Sequence, residues 1–82
     1  MAPTRVTFAG LKEVITHHLR NNFGELDEVE VTFAKFQFPE WRANVEFVVH
    51  GGRSDAPRTA LFRINAISGD VVEFQQGNTW RD

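Results

Sequence analysis

The sequence contains no cysteine. Neither a disulfide framework nor a thiolate metal site can therefore supplement its core. It also contains no tyrosine, and Lys12 and Lys35 are its only lysines. The formal net charge is −2, with both signs scattered along the chain. This is not the basic footprint of a nucleic-acid binder, so no nucleic-acid partner is expected. No apolar run approaches the ~18 residues of a membrane span, and none is expected. The opening stretch MAPTRVTFAG lacks the apolar centre of a signal peptide. Read as written, the chain is expected in the cytoplasm; removal of a leader would place it outside.

What is present is aromatic. Eight Phe and two Trp are many for 82 residues. A chain of this length is read as one small domain, 1–82, able to bury only about 60–65% of its unfolded surface. Each ring can bury roughly 150–250 Å², so hydrophobic burial has to carry the fold.

The apolar spacing changes along the chain. Phe8, Leu11, Ile15, Leu19 and Phe23 recur at intervals of three and four, which predicts a helix over 7–23 with one apolar stripe. Thr4 or Thr7 can cap its start, Arg20 suits the negative end of its dipole, and Gly24 can end it. From there the period is two. Val29, Val31 and Phe33 alternate with Glu28, Glu30 and Thr32, which predicts a strand over 28–37. Phe36 and Phe38 have the opposite parity to Phe33. Either a bulge near Ala34-Lys35 returns them to the inner face, or Phe36 faces outward. After a turn at Phe38-Pro39-Glu40-Trp41 comes a strand over 41–50, with Trp41, Ala43, Val45, Phe47 and Val49 on one face.

The segment His50 to Pro57 reads as a loop. Strands over 58–66 and 71–76 follow, joined by a Ser68-Gly69-Asp70 turn. Ala60, Phe62, Ile64 and Ala66 share one face, expected to continue in Val72 and Phe74. The order helix and four strands predicts an α+β fold, one N-terminal helix packed on a four-stranded antiparallel meander (α-β-β-β-β).

No arrangement carries catalysis or a cofactor, and no metal site is expected. His17 and His18 project ~100° apart on a helix and do not chelate one ion easily. His18 lies beside the apolar stripe and reads as a half-buried packing residue, His17 as a solvated one. His50, Ser54 and Asp55 share one loop, but a Gly-Gly loop supplies neither a rigid triad nor an oxyanion hole. Gly51-Gly52 precedes a strand rather than a helix, so it does not suit a phosphate cradle. Glu28 and Glu30 read as a solvated face that could pair with Arg42 or Arg63 across the sheet.

The remaining signal is apolar. Phe36, Val48, Leu61, Val71 and Trp80 are expected on the sheet face away from the helix or at its edge. A contiguous patch there marks a partner surface; alternatively, Trp80 and the tail cover it.

The stretch Phe62-Arg63-Ile64-Asn65-Ala66-Ile67-Ser68-Gly69-Asp70-Val71-Val72-Glu73-Phe74 resembles the strand-turn-strand motif of PepSY-type domains, an apolar strand running into Asp-Ala-x-Thr-Gly-Glu-Val. Asn65, Ser68 and Asp70 replace the usual Asp, Thr and Glu. The resemblance implies a helix on an antiparallel sheet with a protein-binding or regulatory role and no catalytic residues. Trp41-Arg42, Pro57-Arg58 and Gly69 give a second likeness, to gas-vesicle accessory proteins. The expected function is a non-catalytic interaction or regulatory module, binding another protein or itself as a homodimer. The alternatives are a small apolar-ligand-binding domain and a gas-vesicle-accessory-like protein.

Overall fold

The computed structural model describes residues 6–51 and 56–81. One helix, α1 (Phe8–Phe23), is followed by four strands: β1 (Leu26–Gln37), β2 (Glu40–Val49), β3 (Arg58–Asn65) and β4 (Val71–Gln76). They form a single antiparallel sheet in the order β1-β2-β3-β4. This is the α+β meander that the periodicities predict.

Local chemistry sets the limits of the helix. Thr7 is extended and its hydroxyl accepts from the Gly10 amide at 3.3 Å, meeting one of the helix's free donors. Gly24 ends the helix at φ 85°, and its amide donates to the Arg20 carbonyl at 2.9 Å. A left-handed residue without a Cβ is suited to that position. The hairpin between β3 and β4 is held by Asn65. Its Oδ1 accepts from the amides of Ile67 (2.8 Å) and Ser68 (3.0 Å), and Gly69 closes the turn at φ 82°.

Leu11, Ile15 and Leu19 are buried against Ala43, Val45 and Phe47 of β2 and Ala60, Phe62 and Ile64 of β3. Each of these nine is at most 1% exposed, so the space between helix and sheet is filled by side chains. His18 is half-buried, with its ring 5.4 Å from that of Phe62 and 5.0 Å from that of Phe74. Burial, and after it the neighbouring His17, pushes the His18 pKa down.

Two bulges correct the expected faces. In β1, Val31 pairs with Val45 but Phe33 with Asn44, so Thr32 is the extra residue. The bulge lies two residues before Ala34-Lys35. It turns Phe33 to the outer face and brings Ala34 and Phe36 to the helix side, opposite Ala43 and Trp41. In β4, Ile64 pairs with Val71 and Arg63 with Glu73, leaving Val72 as the extra residue. Val71 therefore joins the helix-side core and Val72 is 47% exposed, the reverse of strict alternation. The shift sets Glu73 within 3.7 Å of Arg63, whose other acidic neighbour is Glu40 at 3.8 Å. Among the described residues, the expected pairing of Glu28 and Glu30 with Arg42 or Arg63 does not form. Glu28 stands opposite Val48, and Glu30 opposite Glu46.

Candidate functional site

Among the described residues no helix lies over the outer face of the sheet, yet its middle is closed. Asn44 is 8% exposed and Leu61 6%. The C-terminal tail crosses them and is anchored at Trp80. The Trp80 amide donates to Asn44 Oδ1 at 2.6 Å, and Asn44 Nδ2 returns a bond to the Trp80 carbonyl at 3.0 Å. The Trp80 indole Nε1 donates to the Phe62 carbonyl at 2.9 Å. The Arg42 guanidinium stacks 5.1 Å from the Trp80 ring centroid, a cation–π arrangement. One side-chain amide thus satisfies both backbone groups of a tail residue, and the ring fills the space that a partner would otherwise occupy.

The five residues expected on an outer contact surface do not lie together. Leu61 is buried and Trp80 half-buried in this closed region. Val48 is half-buried on the outer face, opposite Glu28. Val71 is half-buried on the helix side. Phe36 is on the helix side too, and is 43% exposed.

Phe36 belongs to a different cluster, at the end of the sheet where α1 begins. Trp41 is its centre. The Trp41 indole Nε1 donates to the Val6 carbonyl at 2.8 Å, which fixes the ring against the segment entering α1. Phe36 lies 5.0 Å from Trp41 by ring centroids and Phe8 6.1 Å, and Phe38 meets Phe36 at 6.4 Å. Phe8 is 64% exposed and Phe38 70%. The spacing of three and four predicts Phe8 in the apolar stripe of the helix. As the first residue of the helix, however, it stands at the end of that stripe, with its ring against that of Trp41. Phe38 stood in a turn; the available signal was three aromatics within six residues, Phe36 to Trp41, around a cis Phe38–Pro39 bond.

Beside this cluster a groove of about 300 Å³ runs between α1 and the free side of β1, lined by Phe8, Ala9, Lys12, Val29, Glu30 and Val31. A larger groove, about 770 Å³, lies between α1 and the start of β4 and is lined by Glu13, Val14, His17, His18, Asp70 and Val71 among others. Both open to the surface and mix charged with apolar side chains.

At the far end of the sheet, His50 Nδ1 is 2.7 Å from Asp27 Oδ1. The hydrogen bond and charge of Asp27, with a smaller contribution from Glu25, push the His50 pKa up. Ser54 and Asp55, which complete the polar loop grouping, and Gly52 lie outside the described residues, as does Thr4. Among the described residues no three His, Asp or Glu side chains are grouped to hold a metal ion, and no helix is long and apolar enough to cross a membrane. Comparison of the chain with family models, with curated proteins and with solved structures returns no match.

Proposed function

We propose that this chain is a non-catalytic protein-interaction or regulatory module, and that its contact surface is the aromatic cluster around Trp41. The observation that carries this reading is the exposure of Phe8, Phe36 and Phe38, 64%, 43% and 70%, on rings that touch one another or Trp41. Single exposed apolar residues are ordinary, but a joined group of them marks a place where another surface is bound. Aromatic rings on a rigid base give much contact area for little lost conformational freedom, which is why they dominate binding hot spots. Trp41 provides that base, because its indole is tied to the backbone at Val6. The likeness of the Phe62–Phe74 hairpin to PepSY-type domains points to the same kind of role. The filled space between helix and sheet speaks against an apolar ligand held there.

The test is quantitative capture from lysate of the source cells, comparing the wild-type chain with a Phe8→Ser/Phe38→Ser double variant. Both side chains are mostly exposed, so the variant is expected to fold. The expected result is loss of most of the bound protein. If the variant captures the same proteins in the same amounts, the aromatic cluster is not the contact surface.

A further inference from the structure

The free side of β1 offers a more specific reading, one that rests on the interaction-module proposal. β1 is the first strand of the sheet, twelve residues long, and among the described residues only β2 pairs with it. An unpaired strand edge is a template for another strand. Its side chains are sorted by face. Val29, Val31, Ala34 and Phe36 stand opposite the helix-side residues Phe47, Val45, Ala43 and Trp41, whereas Glu30, Phe33 and Lys35 stand opposite the outer-face residues Glu46, Asn44 and Arg42.

The charges on the outer side are paired the wrong way within the chain. Glu30 faces Glu46, and Lys35 faces Arg42. Like charges directly across a strand pair repel. Glu30 and Lys35 are both exposed, so each is free to meet a charge from outside the chain.

We propose that the partner at this edge is a second copy of the chain, joined β1 to β1 in antiparallel fashion about a two-fold axis between Thr32 and Phe33. This register is chosen by the faces. Val29 then meets Phe36 of the second copy, Val31 meets Ala34, and Glu30 meets Lys35, each twice by symmetry. Every helix-side residue lies opposite a helix-side residue, and each acid that faces an acid in its own sheet gains a base. Phe36 of the second copy, standing beside Val29, is directed at the groove lined by Phe8, Ala9, Lys12, Val29 and Val31. One exposed ring is thereby matched to a groove in which Phe8, Ala9, Val29 and Val31 stand beside Lys12 and Glu30. The four-stranded sheets become one continuous sheet of twice the width, with Phe8 and Phe38 at the rim of the junction.

The test is light scattering or sedimentation over a concentration series, using four chains: wild type, Glu30→Lys, Lys35→Glu and the double variant. The wild type is expected at twice the 9.4 kDa of one chain. Each single reversal sets two like pairs across the junction and is expected to raise the dissociation constant at least tenfold. The double variant is expected to regain the dimer. Folding does not confuse the result, because each reversal relieves a like-charge pair inside the chain (Glu30 with Glu46, Lys35 with Arg42). At dilutions where the wild type too is monomeric, a single reversal is thus expected to keep or raise the melting temperature, although it dissociates the dimer at higher concentration. A wild type that stays monomeric at every concentration overturns the second copy as partner. A dimer that tolerates both single reversals overturns the β1 edge as its junction. Neither result touches the capture experiment with Phe8→Ser/Phe38→Ser, so failure of the dimer and failure of the interaction reading remain separate outcomes.

Discussion

At the scale of single residues, Trp80 and Asn44 act as one fastening. Each hydrogen bond of the pair is part-buried, and Asn44 has little other access to water. Replacing Trp80 by Ala removes the ring, its bond to the Phe62 carbonyl and its stack on Arg42, and keeps only the backbone groups that pair with Asn44. The expected loss of stability is about 2–3 kcal/mol, read from urea unfolding. Asn44→Ala is expected to cost less, and the double variant less than the sum, since the two residues share one network. His50 gives a pH dependence of known sign. Its folded-state pKa is raised by Asp27 above the ordinary 6.5, so its contribution to stability is whole below pH 6.5 and fades as the pH rises through the higher folded value. In an Asp27→Asn variant, the His50 titration followed by NMR is expected to move back towards 6.5. His18 works the other way. Its folded-state pKa is lowered by burial, so its contribution is whole above pH 6.5 and is lost as the pH falls through the lower folded value.

At the scale of elements, the limits of α1 are set by Thr7 and Gly24. Gly24 has open space where a Cβ would lie, so Gly24→Ala tests the φ of 85° alone. It is expected to cost about 1 kcal/mol, measured by thermal or urea unfolding. The order of helix and strands could be read from spacing because burial on one side imposes a period of 3.6 or 2 on the sequence. The faces of Phe33, Phe36, Val71 and Val72 could not, because a bulge inserts one residue without leaving a mark in composition. In β4 the bulge falls between two valines, so the pattern reads equally well in either register. Only the pairing partner, Arg63 with Glu73 and Ile64 with Val71, decides it. The aromatic cluster was legible only in part. Phe36 was singled out as a contact residue, but its company with Phe8 depends on where the helix begins relative to the far end of β1, which spacing does not contain.

At the scale of the whole molecule, the sheet has two unlike coverings. Among the described residues, a sixteen-residue helix lies on one side, and on the other a short tail held at one tryptophan. The two sides carry one tryptophan each. Trp41 is half-buried among the rings of the helix side, and Trp80 is half-buried on the outer side. With no tyrosine in the chain, its near-ultraviolet emission comes from these two indoles and almost nothing else. A Trp80→Phe variant is therefore a lamp on the helix side, and a Trp41→Phe variant a lamp on the tail. On dilution through the dissociation range of the proposed β1 dimer, emission from the Trp80→Phe chain is expected to shift as the junction opens and water reaches the ring cluster, while the Trp41→Phe signal stays constant. In rising urea, a Trp41→Phe signal that moves ahead of the loss of secondary structure would time the release of the tail separately from the unfolding of the sheet beneath it. The chain thus carries, without any label, one optical reporter for each of its two surfaces.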